Sequence, residues 1–182
     1  MAKSKYEIER NFLSGIGAAH NMLADAVEAK MAPIEQICLS ATLIDGLLRL
    51  SLVMKRQLAT GKHITDSALL YQGKLQKTFI SERKIYEKAR KEKIITAQIE
   101  KKLQALYNQR NIIVHRYLIS NIKTIQVALI AKRYLHIYSE IKERHRIIHN
   151  QLVAGNIGMA KRFIRNPSKM QIQEQMAQKH FK

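Results

Sequence analysis

Breakers are scarce in this chain. Two prolines and seven glycines interrupt 182 residues, so long segments run with nothing to force a turn, which argues against a many-turned β fold. Apolar residues recur instead at helical spacing. Ile34, Ile37, Cys38, Ala41, Leu48 and Leu52 share one face behind Pro33, whose fixed φ suits a first helical position. No alternating strand segment and no internal repeat is visible. The expected fold class is all-α, an antiparallel helical bundle, and 46% apolar residues over this length suffice for a core.

Local stop and start signals divide the chain. A first helix is expected over Tyr6–Lys30, Ala-rich and without a strong cap. A second runs from Pro33 to about Ala59 and stops at Gly61. His63–Ser67 reads as a loop with Asp66 or Ser67 as N-cap of a short helix through Leu69–Lys77, and Ser81 opens another to about Lys93. Thr96 caps a long helix ending near Ser120–Asn121, and a further one over roughly Lys123–Leu152 follows with so little loop that a kink or a tight hairpin is expected. Gly155 to Gly158 breaks the pattern, and Ser168 with Gln171 is spaced as the capping box of a last polar helix. The division expected is an N-terminal helix (1–31), a helical bundle (32–153) and a basic C-terminal extension (154–182).

Charge points to a partner class. Lys and Arg number 32 against 14 Asp and Glu, and the excess is uneven: +5 over residues 1–100 and +13 over residues 101–182. A field of that sign attracts polyanions and favours phosphate contacts through counterion release. Nucleic acid fits better than an anionic membrane, because the basic half lacks the Trp and Phe that anchor interfacial helices. The single cysteine, Cys38, excludes an internal disulfide and a cysteine-based zinc cluster, and among Ile37 and Leu39 it reads as a small buried hydrophobe. Charges near the N-terminus argue against a secretory signal, and the apolar stretch Leu43–Met54, broken by Asp45 and Arg49, is short for a membrane span, so a soluble cytoplasmic protein is expected.

One stretch violates the apolar pattern. In Tyr107-Asn108-Gln109-Arg110-Asn111-Ile112-Ile113-Val114-His115-Arg116-Tyr117, each residue of an ideal helix turns about 100°. Arg110 and Tyr117 then lie about 20° apart inside the arc shared with Leu103, Leu106 and Ile113, while Asn111 and His115 share its edge. Polar groups gathered on a core-facing stripe mark either a functional site or a structural network, the latter with Arg110 paired to a core acid such as Asp45.

Arg110, four intervening residues, His115 and then x-Tyr117 resemble the RX4HXY signature of HEPN ribonucleases, HepT-like toxins in particular. The run from Phe79-Ile80 through Lys93-Ile94-Ile95 to Leu103-Gln104-Ala105-Leu106 resembles the helix–turn–helix leading into that motif. The resemblance covers roughly residues 32–150, leaving the first helix and the basic tail outside it. It implies metal-independent RNA cleavage by attack of the ribose 2′-OH on the adjacent phosphate. His115 would shuttle the proton, a task suited to an imidazole near neutral pH. Arg110 would stabilise the transition-state phosphate, and Asn111 would orient His115 or hold a phosphate oxygen. It further implies a homodimer with a composite site, which suits the roughly 140° between Arg110 and His115 on one helix, a role as toxin or phage-defence effector, and an antitoxin or nucleotidyltransferase partner that would modify Tyr117. The plainer role for Tyr117 is packing at the dimer seam.

Arg116, Arg144, Arg146, Lys161, Arg162, Arg165 and Lys169 are candidates for contacting an RNA backbone, beside the plainer reading of a solvated charged face. No cofactor or metal is expected. His145 and His149 stand at i,i+4 but lack a third ligand beyond Glu143, and read as surface histidines. Gly155-x-x-Gly158 is too short for a phosphate loop and follows no strand. Two further function classes remain open: a catalytically inactive HEPN module that binds RNA or a protein, and a structural helical adaptor.

Overall fold

Helix α2, Pro33–Thr60, is the axis of the molecule. Pro33 starts it, and Gly61 ends it at φ +65, the left-handed conformation that closes a helix and that glycine adopts without steric cost. Ile37, Ile44 and Leu48, which share one face of it, are wholly buried, each contributing about 1.5–3 kcal/mol by leaving water. The computed structural model describes residues 4–29, 32–71 and 80–159. Within them α1 (Lys5–Glu28), α3 (Ser67–Leu70), α4 (Glu82–Lys91), α5 (Ala97–Arg116) and α6 (Thr124–Ala154) pack round α2. A 3-10 turn, Tyr117–Ile119, links α5 to α6. The fold is an all-α helical bundle, with no strand among the described residues.

Most helix starts lie where capping residues put them. Asp66 accepts from the Ala68 amide, Ser81 from Lys84 and Thr96 from Ile99. Helix α1 has the cap the sequence did not reveal: the Ser4 hydroxyl accepts from the Glu7 amide at 3.1 Å. The short helix at Leu69 ends at Leu70, and its expected continuation lies outside the described residues, as does the polar helix placed after Ser168.

Sequence neighbours α1 and α2, α4 and α5, and α5 and α6 run antiparallel, whereas α2 and α6 run in the same direction. Ser51 meets His145 at 3.0 Å and Gln57 meets Met159 at 3.0 Å, the numbers rising together. That arrangement follows from α5 doubling back between α4 and α6. Helix α1 lays Ile8, Leu23 and Ala26 into the same core as the bundle helices. Its approach to α2 is close at Gly46, where a Cβ would meet Ile16 at 3.4 Å.

Helix α2 extends in both directions past the apolar stretch read from the sequence. At 28 residues, with a mean hydropathy of 1.8 in its most apolar window, it is long and apolar enough to cross a bilayer by length and composition. Of that window, 72% is buried by the surrounding helices. The expectation of a segment too short to span therefore fails on length, and the other helices supply the apolar surroundings.

The far end of α2 is latched to the residues after α6. Gln57 is fully buried, donates to the Ile64 carbonyl at 2.7 Å and accepts from the Met159 amide. Gly158 sits at φ +58, and a Cβ there would lie 2.1 Å from Gln57 Oε1. Gly158→Ala is therefore expected to cost about 1–3 kcal/mol, lowering the melting temperature by about 2–4 °C per kcal/mol. Gly15→Ala, where nothing lies within 4 Å of the new Cβ, should instead stabilise α1 slightly. Thermal melts of the two variants check both signs.

Candidate functional site

Helix α5 carries the motif because Ile99, Leu103, Leu106 and Ile113 bury its opposite turns against the core. It stops at Arg116, four to five residues earlier than the sequence suggests, and Tyr117–Ile119 tightens into a 3-10 turn. The Ser120 hydroxyl donates to the Tyr117 carbonyl at 3.0 Å, and the Tyr117 hydroxyl meets Thr124 Oγ1 at 2.7 Å. The Lys123 amide donates to Gln126 Oε1 at 2.7 Å and starts α6. The connection is a tight hairpin, one of the two expected forms.

Arg110 is turned inward, toward α4. Its Nη1 donates to both carboxylate oxygens of Glu82 at 2.8 Å, and its Nη2 donates to Asn111 Oδ1 at 3.2 Å. The guanidinium lies over the Tyr107 ring, 4.9 Å from its centroid. Burial works against the charge on Arg110, but the Glu82 hydrogen bonds and charge outweigh it and raise the pKa. Tyr86, one turn along α4, donates to Glu82 Oε2 at 3.2 Å. Burial pushes the Tyr86 and Tyr134 hydroxyls well above their usual range, so both stay neutral beside the ion pair. The charged partner is thus Glu82. Asp45 is instead bonded to Arg49 at 2.6 Å, and Arg49 braces the Leu69 and Ile80 carbonyls. Burial raises the Asp45 pKa against the opposing effect of Arg49.

His115 is exposed in the last turn of α5 and makes no hydrogen bond or ion pair among the described residues. Arg110, Asn111 and Glu82 are brought together; His115 is not brought to them within one chain. The residues that follow His115 in the chain include several open apolar side chains. Leu118 is 94% exposed, Ile119 86% and Ile125 68%, with Val114 and Leu129 also open to solvent. No Asp or Glu occurs between Glu100 and Glu140, so Arg116 and Lys123 flank this corner without an acidic counterweight in that stretch.

The candidate RNA-backbone residues divide. Arg116 is exposed beside the motif. Arg144 is half-buried, donating to the Ile94 carbonyl at 3.4 Å and to Glu140 at 3.3 Å, so it ties α6 to the α4–α5 turn. Arg146 is held by Glu143 at 2.7 and 2.8 Å on the surface. Lys161, Arg162, Arg165 and Lys169 lie outside the described residues. Cys38 is half-buried rather than sealed, and burial lifts its thiol pKa. No three His, Cys, Asp or Glu gather to hold a metal among the described residues. The cleft of about 460 Å³ between α1, α2 and α3 is walled by Phe12, Ile16 and Leu43, and Glu82 stands at its edge.

Glu82 and Tyr107 are the participants that sequence reading missed. Glu82 follows the capping Ser81, a signal for a helix start that says nothing of a tertiary partner. The chain matches no known family model, no curated protein and no solved structure.

His145 is not a surface histidine. It continues the buried α6 stripe of Tyr134, Tyr138, Ile141, Ile148 and Leu152, and its Nδ1 meets Ser51 Oγ at 3.0 Å. Burial, with the nearby His149 charge, lowers its pKa to about 4. Its ordinary value is about 6.5, so between those limits the unfolded chain binds the proton and the folded one does not. Stability contributed by neutral His145 is full above about pH 6.5 and lost as pH falls toward 4. Melting temperatures taken from pH 7 to pH 5 should fall, and His145→Gln should flatten that slope. An unchanged slope in the variant would show that other groups set it.

Proposed function

We propose that the chain is a metal-independent endoribonuclease of the HEPN type, acting as a homodimer. The observation that carries this reading is the opposite placement of the two motif residues. Arg110 is fixed inside the α4–α5 contact, while His115 stands in solvent beside an uncovered apolar corner. Large apolar side chains as open as Leu118 and Ile119 mark contact surfaces. A second copy seated on this corner would bring its own motif helix close, so that an imidazole and a guanidinium from two chains face one phosphate. The imidazole would move the 2′-OH proton and the guanidinium would take the charge developing on phosphorus-bound oxygen. The net charge of +18 favours RNA as the ligand. A setting in toxin action or phage defence, with an antitoxin or a Tyr117-modifying nucleotidyltransferase as partner, belongs to this proposal.

One observation favours a second reading. Both Nη atoms of Arg110 already have partners in Glu82 and Asn111, as in a structural ion pair, which suits a catalytically inactive module that binds RNA or a protein.

Purified protein incubated with total RNA in EDTA separates the two. The ribonuclease cleaves without metal, and His115→Ala lowers the rate by about 10²-fold or more while the melting temperature and dimer are retained. Leu118→Glu with Ile119→Glu should give a monomer by sedimentation and abolish cleavage. RNA that is bound and left intact supports the inactive module, and a monomeric wild type that still cleaves defeats the composite site.

A further inference from the structure

We infer that Glu82 is the positioning residue for Arg110, presenting one chosen edge of its guanidinium to an RNA phosphate; this role rests on the ribonuclease reading above. Glu82 is itself firmly placed. It is the first residue of α4, next to the capping Ser81, and its Oε2 also accepts from Tyr86, a side chain 2% exposed in the core. Its carboxylate therefore has little freedom to follow Arg110; Arg110 must come to it.

The donor inventory shows which part of Arg110 remains. A guanidinium has five N–H groups. Nη1 is shared between the two oxygens of Glu82, both at 2.8 Å, and Nη2 gives one N–H to Asn111 Oδ1 at 3.2 Å. The Nε–H and the second Nη2–H have no partner among the described residues. They belong to neighbouring nitrogens and form the two-pronged donor edge that matches paired phosphate oxygens. The Tyr107 ring beneath the guanidinium, at 4.9 Å, restrains the plane of that fork. Glu82 thus meets the guanidinium through Nη1 alone and leaves Nε and the second N–H of Nη2 to a ligand. A carboxylate competing with phosphate would have to take that edge.

Two consequences separate positioning from blocking and from plain structural support. In Glu82→Gln the side-chain shape is kept and the fixed charge lost. Misplacement of a catalytic group by about 1 Å costs on the order of 10²-fold, so kcat should fall roughly 10- to 100-fold with KM for RNA nearly unchanged. Glu82→Asp keeps the charge and should recover part of that kcat. Arg110→Lys keeps the positive charge but has no fork, and should not restore cleavage.

The experiment measures kcat and KM on an RNA substrate in EDTA for the wild-type dimer and these three variants, with melting temperatures alongside. The expected pattern is loss of kcat in Glu82→Gln, partial recovery in Glu82→Asp and none in Arg110→Lys. If Glu82→Gln melts lower but turns over as the wild type does, Glu82 is only structural and the inference is overturned. If its kcat rises or its RNA affinity strengthens, Glu82 competes with substrate, which overturns it equally. Should Glu82→Gln not fold, Glu82→Asp decides: full wild-type kcat, despite the shortened reach, defeats the positioning role. A wild type that leaves RNA intact sinks the ribonuclease reading itself, and Glu82 with it.

Discussion

A helix with apolar residues on every side must be covered on every side. Helix α2 buries Ile37, Leu43, Ile44, Leu47, Leu48 and Val53 on successive turns, and no single partner helix covers more than a stripe of such a cylinder. The other helices take their places accordingly. Helix α6 lies along it in the same direction, α1 covers a second side, and α4 with α5 closes the remainder. The parallel run of α2 and α6 follows from that demand. Once α5 has returned antiparallel to α4, the tight turn at Tyr117–Ile119 sends α6 back the way α2 runs.

The Arg110–Glu82 pair is the exception inside this apolar packing. Their side chains are 17% and 22% exposed, so each has lost much of its hydration. Pairs of this kind repay little in stability; exchanging a buried pair for well-packed apolar residues is often neutral or favourable, while removing one partner alone is costly. The pair is therefore poorly explained by folding needs, since apolar residues at both positions could serve the α4–α5 contact as well. What the pair does provide is orientation. Two oxygens, an amide oxygen and an aromatic face fix a group that otherwise carries several rotatable bonds.

Much of this was legible because it is local chemistry. Pro33, Gly61, Asp66, Ser81 and Thr96 mark helix boundaries through hydrogen bonds or dihedral limits that reach no further than three residues. The inward place of Arg110 follows from a period of 3.6, and so does its separation from His115. What escaped depended on tertiary register. The sequence offered Asp45 as the acid for Arg110, yet Asp45 has Arg49 one turn away, a pairing visible at i,i+4 spacing. Glu82, from a different helix, carries no such mark. The burial of His145 was visible in principle, since it falls in step with Tyr134, Tyr138, Ile141 and Ile148. The basic character of α6 hid it, because Lys142, Arg144 and Arg146 around it read as one solvated run.

On the proposed reading, the hairpin after α5 is part of what leaves one chain incomplete for the chemistry. Had α5 continued past Arg116, Leu118 would have fallen about 80° from Arg110, at the edge of the apolar arc. In the 3-10 turn, held by Ser120 on the Tyr117 carbonyl, Leu118 and Ile119 both stand open to solvent. A turn that uncovers two large apolar residues forgoes about 1.5–3 kcal/mol for each, unless another surface receives them. His115 is exposed three residues before Leu118, and the basic residues Arg116 and Lys123 make this part of the chain attractive to a phosphate backbone. On the proposed reading, helical periodicity sets the histidine outward, the turn supplies the contact that a second copy would recover, and the fixed guanidinium of Arg110 would be met from outside the chain that holds it.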